Sequence, residues 1–153
     1  MPSAFRQPVT FHVGLLEKRL DMIEQRADIE VLAETDGSYE RPIPTKWRPV
    51  FRAIVASFLE HDYLLKSGVP GVVAVSEDTA NHIQQYIADY GVTLAPLPDE
   101  TWASSVCIWC GSHWDVLVDL WTREEGRSDL VLSARVADRN PDIVVEIHMV
   151  YVP

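Results

Sequence analysis

The sequence predicts an α+β fold, with an antiparallel β-meander in the C-terminal third packed on one face by two or three helices. Three observations predict it. From Ser104 to Val152 the chain alternates apolar and polar residues, interrupted by turn residues at Gly111-Ser112, Glu125-Gly126 and Asn140-Pro141-Asp142. Upstream, apolar residues recur at helical spacing in three stretches. All three helical stretches lie upstream of the four-strand meander, and helices laid on one face of an antiparallel meander make an α+β fold.

Residues 1–11, with Pro2 and Pro8, read as an irregular arm. From His12 to Ala27, Val13, Leu16, Leu20 and Ile23 form one helical face and the charged residues mostly another. Ile29 to Glu34 and Tyr39 to Ile43 read as a short hairpin around Asp36-Gly37, with Pro42 and Pro44 confining it to a sheet edge. A second helix starts at Thr45 as cap, with Pro49 in the first turn, and ends near His61 or Asp62. Its stripe is Val50, Phe51, Ile54, Val55, Phe58 and Leu59. After Ser67-Gly68 and Pro70-Gly71, Val72 to Val75 reads as a short strand. The third helix has Ser76 as N-cap, Glu77 and Asp78 in its first turn and Gly91 at C′. Ala80, Ile83, Ile87 and Tyr90 supply its buried side.

Four strands follow Pro96 and Pro98: Val106 to Cys110, Trp114 to Trp121, Leu130 to Val136 and Ile143 to Val152. In the second, Trp114, Val116, Val118 and Leu120 share one face; Asp115, Leu117, Asp119 and Trp121 share the other. In the last, Ile143, Val145, Ile147, Met149 and Tyr151 oppose Val144, Glu146, His148, Val150 and Val152. The reading is one domain over 1–153, with 1–44 as N-terminal helix and extension and 45–153 as the α+β core.

Composition bounds function. The chain has 153 residues with 13 Lys and Arg against 23 Asp and Glu, so its formal charge is 13 − 23 = −10. That balance disfavours nucleic acid, whose phosphates need clustered cations, and suits a basic protein partner. No stretch is apolar enough over about 20 residues to span a membrane. Met1 to Gly14 lacks the charged-then-apolar pattern of an export signal, so the cytoplasm is the expected compartment. No cofactor motif is present; Gly68-Val69-Pro70-Gly71 lacks the Lys and hydroxyl of a phosphate loop.

The run Val118-Asp119-Leu120-Trp121-Thr122-Arg123-Glu124-Glu125-Gly126-Arg127-Ser128-Asp129-Leu130, with His148-Met149-Val150-Tyr151-Val152 after it, resembles a family of small bacterial proteins classed as a domain of unknown function. The similarity reaches back to Trp47. The resemblance implies a soluble bacterial protein with a compact α+β domain and brings no activity or catalytic residue with it.

Candidate chemistry gathers in the same third. Asp119 and Trp121 read as the floor of a binding face, or simply as part of a solvated sheet face. Asp115 and Asp119 are four strand residues apart, about 13 Å, too far for a paired-carboxylate mechanism. Arg123, Glu124, Glu125, Arg127 and Asp129 read as a mixed-charge recognition loop around Gly126 or as a hairpin of solvated ion pairs, with Arg127 able to lock the turn through Asp129. His148 lies mid-strand, away from the Ile147 side. Cys107 and Cys110 have C-x-x-C spacing near His113, but an odd separation on a strand points them to opposite faces and no second ligand pair follows; packed thiols are expected, and no metal. No nucleophile motif surrounds either Cys or any Ser.

Two functions follow as expectations. The first is a non-catalytic protein-binding module of immunity or inhibitor type, recognising a basic partner through Asp119, Trp121, Arg123, Glu124, Glu125, Arg127, Asp129 and His148. The second is a small-molecule-binding or enzymatic domain in which Asp119, Trp121, Arg127 and His148 meet in one pocket between sheet and helices.

Overall fold

Both helices expected within residues 40–153 form, and they lie on one side of a six-stranded antiparallel sheet. The computed structural model describes residues 40–153. The helix read over 12–27 and the strand read over 29–34 lie outside the described residues. No helix among the described residues is long and apolar enough to cross a membrane.

The chain enters as an edge strand, β1 (Arg41–Pro42), antiparallel to Val106 and Cys107. Pro42 is tolerated there because an edge position has no second ladder to feed. Ile43 is fully buried next to it. A 3-10 turn (Thr45–Trp47) leads into α1 (Arg48–Leu59). The start expected at Thr45 is corrected to Arg48. No side chain caps either element, and Pro49 opens the α-helix where its missing N–H costs nothing. Phe51, Ile54, Val55 and Phe58 are buried, as their spacing requires.

The strand expected over Val72 to Val75 is reduced to one parallel bridge, Val72 to Val145. Val145 N–H donates to Gly71 O and Val73 N–H to Val145 O, both at 2.8 Å, so the segment covers part of the sheet's last edge. Next, α2 (Glu77–Tyr90) begins and ends as its sequence dictates. Ser76 Oγ accepts from Thr79 N–H at 3.1 Å, and Gly91, at φ 83°, closes the helix with its N–H on Ile87 O.

The sheet continues with β2 (Leu94–Ala95), β3 (Val106–Trp109), β4 (Trp114–Thr122), β5 (Gly126–Arg139) and β6 (Asp142–Tyr151), in the order β1-β3-β4-β5-β6, with β2 also paired to β4. The inner face carries Trp114, Val116, Val118 and Leu120 of β4, all buried, with Leu132, Ala134 and Val136 of β5 beneath the helices. Trp47 meets Trp114 edge-on at 6.1 Å between ring centroids, and Trp109 lies 5.3 Å from Trp114.

Two irregularities re-aim side chains. In β6, Ile147 pairs with Ala134 and Met149 with Ser133, so His148 is an unmatched extra residue, a β-bulge. Alternation therefore resets at His148. Val150 is fully buried on the inner side, and Met149 and Tyr151 stand outside, the reverse of the expected order. In β5, Val131 pairs with Asp119 and Arg127 with Trp121, which leaves Ser128, Asp129 and Leu130 facing Leu120 alone. Ser128 Oγ donates to Leu120 O at 2.8 Å and accepts Leu130 N–H at 3.1 Å, bridging the gap. The expected polar loop at 122–129 thus shrinks to Arg123–Glu125, because Arg127, Ser128 and Asp129 already belong to β5.

Candidate functional site

Asp119 occupies a gap in the sheet. On its edge of β4, β3 pairs up to Leu117 and β2 pairs from Trp121, so no strand serves Asp119 between them. Its backbone groups still need partners. A second 3-10 turn (Asp99–Ala103) and the residues after it supply them. Thr101 Oγ1 donates to Asp119 O at 2.6 Å, and Asp119 N–H donates to Ser105 Oγ at 2.9 Å. Ser104 Oγ donates to Asp119 Oδ2. The turn is held from α1, where the guanidinium groups of Arg48 and Arg52 each lie 5.5 Å from the Trp102 ring. Arg52 also pairs with Asp99. Asp119 is thereby fixed by residues its own strand does not reveal.

The carboxylate points to the outer face, away from the helices, with 19% of the side chain exposed and Arg127 Nη1 at 3.8 Å. Arg127 pairs with Asp119, not with Asp129. Trp121, opposite Arg127, is half-buried; its ring would lie 3.7 Å from a Cβ at Gly126, whose φ of 76° suits glycine. Its indole N–H has no acceptor among the described atoms. Two cross-strand rows complete this face. Asp119, Val131 and Tyr151 form one; Leu117, Ser133 and Met149 form the other. His148 projects from the bulge towards Glu146, Nε2 to Oε1 3.8 Å. Asp119, Trp121 and Arg127 are therefore neighbours, and His148 stands two strands away from Asp119.

A family model described as "Domain of unknown function (DUF7668)" matches residues 55–153. The chain belongs to this family. The match begins at Val55, inside α1, so of the similarity read back to Trp47 it covers the part from Val55 onward. Neither the curated proteins nor the solved structures contain a match to the chain.

Within the DUF7668 domain, the β4–β5 hairpin braces the end of α2. Glu124 Oε1 accepts Thr93 N–H at 2.9 Å, Arg123 N–H donates to Thr93 O at 2.9 Å, and Tyr90 Oη donates to Glu125 Oε1 at 3.0 Å. Tyr90 Oη also accepts Asp129 N–H at 3.4 Å. Two of the acids read as recognition groups, Glu124 and Glu125, thus have structural partners. The Thr93 N–H holds the Glu124 carboxyl below the usual range. The N–H groups of Lys66 and Ser67, at 2.9 and 3.1 Å, do the same for Asp62. A depressed carboxyl stabilises the fold above its unfolded value, and that contribution is lost as pH falls through the folded value. The urea midpoint is therefore expected to hold steady from neutral pH downward and then to fall below about pH 4, where Asp and Glu of the unfolded chain titrate. Glu124→Gln flattens that fall; an unchanged acid limb in this variant contradicts the assignment.

The two thiols part company. Cys107 is fully buried on the inner face, donates to Pro42 O at 3.5 Å, and is pushed up to about 12 by burial. Cys110 is exposed at the start of the β3–β4 turn and donates to Asp115 Oδ2 at 3.1 Å. Burial and the Asp115 carboxylate both push it up. They do not act as a C-x-x-C pair. A cleft of about 380 Å³ opens beyond the end of α1, lined by Phe58, His61, Tyr63, Thr93 and Arg123 among others. His61 there holds a left-handed backbone, φ 59°. Arg123 is the one residue of the expected set that lines this cleft; Asp119, Trp121, Arg127 and His148 do not.

Proposed function

We propose that this DUF7668 protein is a non-catalytic binding module that engages a basic protein partner through the outer face of its sheet. The observation that supports it is the make-up of that face. Leu117, Met149 and Tyr151 are half-buried on the side opposite both described helices, with Asp119 and Trp121 further along the same face of β4 and the charged row Asp115, Arg135 and Glu146 beyond Leu117. An apolar centre with an aromatic residue and a charged rim is how protein interfaces are built. The net charge of −10 steers a basic partner onto it.

The Asp119–Arg127 pair fits this role better than a catalytic one. Ser104 and Arg127 both contact Asp119 Oδ2, and the two pairings fix the orientation of the carboxylate within the face. A pull-down with the full chain at low salt is expected to recover a partner in stoichiometric amount. Met149→Asp is expected to lose it, and Gln84→Arg, on the exposed side of α2, to retain it. No stoichiometric partner at low salt, or one indifferent to Met149→Asp, overturns the reading.

A further inference from the structure

We propose that Cys110, His113 and Asp115 form a binding site for a zinc-class divalent ion at the β3–β4 turn. The turn brings the three together. Cys110 N–H donates to His113 O at 2.8 Å, and Gly111, at φ 90°, takes the left-handed position that closes the hairpin. Asp115 follows one residue into β4, on the outer face. Cys110 Sγ lies 3.1 Å from Asp115 Oδ2, and His113 Nε2 lies 3.3 Å from Asp115 Oδ1. One donor atom from each residue lies within 4.8 Å of both others.

Those separations are near a metal's needs. A tetrahedral ion with bonds of about 2.0–2.3 Å sets its ligand atoms roughly 3.3–3.8 Å apart. A thiolate, an imidazole and a carboxylate together select zinc-like ions over magnesium or calcium, which take oxygen ligands. Ser112 Oγ sits 2.9 Å from His113 Nδ1. With the Nδ1 proton donated to that hydroxyl, Nε2 is left as the lone pair facing Asp115, the outer-sphere arrangement that metal-bound histidines use. Arg135, paired across the strand from Asp115, opposes a cation, and the thiolate and carboxylate charges offset it.

Three protein ligands leave a fourth position for water or for a group from another molecule. The site stands on the same sheet face as Leu117 and Asp119, at the opposite end of β4 from Trp121.

Full-length protein stripped with chelator tests the proposal. Zn²⁺ is titrated in competition with a chromophoric chelator, and Co²⁺ is titrated while the visible spectrum is recorded. One ion per chain is expected, with the strong visible absorption of tetrahedral Co²⁺ and a thiolate-to-cobalt band in the near ultraviolet. Cys110→Ser and His113→Ala are each expected to weaken Zn²⁺ by at least the about 10–100-fold that loss of an outer-sphere partner costs. Cys107→Ala, which removes the buried thiol, retains the affinity. Absence of stoichiometric binding, or binding that survives both ligand variants, overturns the site. Circular dichroism of each variant shows that a lost ion is not a lost fold.

Discussion

Replacing Trp114 by Ala is expected to cost about 3–5 kcal/mol of folding stability, the range for deleting a large aromatic ring from a core. Trp114 is 2% exposed, stands first in β4 and is flanked by Trp47 from the 3-10 turn and Trp109 from β3. It is therefore the contact through which the start of α1, β3 and β4 share one core. Alanine leaves a cavity beside two rings that are themselves held by backbone elements, so collapse into the space is limited. Domains of this size have about 5–15 kcal/mol in total, so the variant approaches the limit of folding at 37 °C. Urea unfolding measures it as a large fall in midpoint at unchanged slope. Trp114→Phe keeps a ring against Trp47 and is expected to cost clearly less. A loss under about 1 kcal/mol for Trp114→Ala, typical of an ordinary surface change, contradicts this packing.

The second large effect is expected at the gap beside Asp119. Thr101 is fully buried and Ser105 is 2% exposed, and their hydroxyls satisfy the Asp119 carbonyl and N–H that no strand reaches. Thr101→Val keeps the shape and leaves that carbonyl unpaired; Ser105→Ala does the same to the N–H. Each is expected to cost about 1–3 kcal/mol, the penalty for a stranded buried polar group. Because they serve one residue, the double variant is expected to cost less or more than the sum, by a measurable coupling. Thr101→Ser restores the hydroxyl and is expected to recover most of the loss. Faster amide exchange at Asp119 in Ser105→Ala accompanies the change. Equal stability for Thr101→Val and the parent contradicts this role for the turn.

These residues also show where the sequence is legible. Both caps of α2 are local signals: Ser76 and Gly91 act on backbone groups within one turn, so their identities suffice. The faces of β4 follow from strict alternation, since every second residue from Trp114 to Leu120 is apolar. The last strand defeats the same logic. Ile147-His148-Met149-Val150-Tyr151 has apolar residues at both parities after His148, so no alternation marks the bulge that sends Val150 inward. Gly126-Arg127-Ser128-Asp129 reads as a loop because it is polar. Ser128 is polar for a different reason: the displaced Leu120 carbonyl needs its hydroxyl.

The site divides in the same way. Asp119 and Trp121 are placed on the outer face by alternation alone, and the structure adds Arg127 beside Asp119. Glu124 and Glu125 look like free charges because their partners, Thr93 and Tyr90, are about 30 residues away in sequence and meet them only through the packing of α2 on the hairpin. The Cys110–His113–Asp115 cluster hides behind the C-x-x-C spacing. The informative interval is Cys110 to His113, a two-residue turn at Gly111-Ser112 that swings both ligands to one side.

The outer sheet face as a partner-binding surface is tested most directly by site-specific photo-cross-linking. A photoreactive amino acid is placed at Leu117, at the centre of the face, and separately at Gln84, on the solvent side of α2. Cells or fresh lysate at low salt are then irradiated. The account predicts one dominant cross-link to a basic protein from position 117, suppressed by Met149→Asp and by raised salt, and none of comparable yield from position 84. Cross-linking from position 84 alone, or no discrete product from position 117, contradicts it.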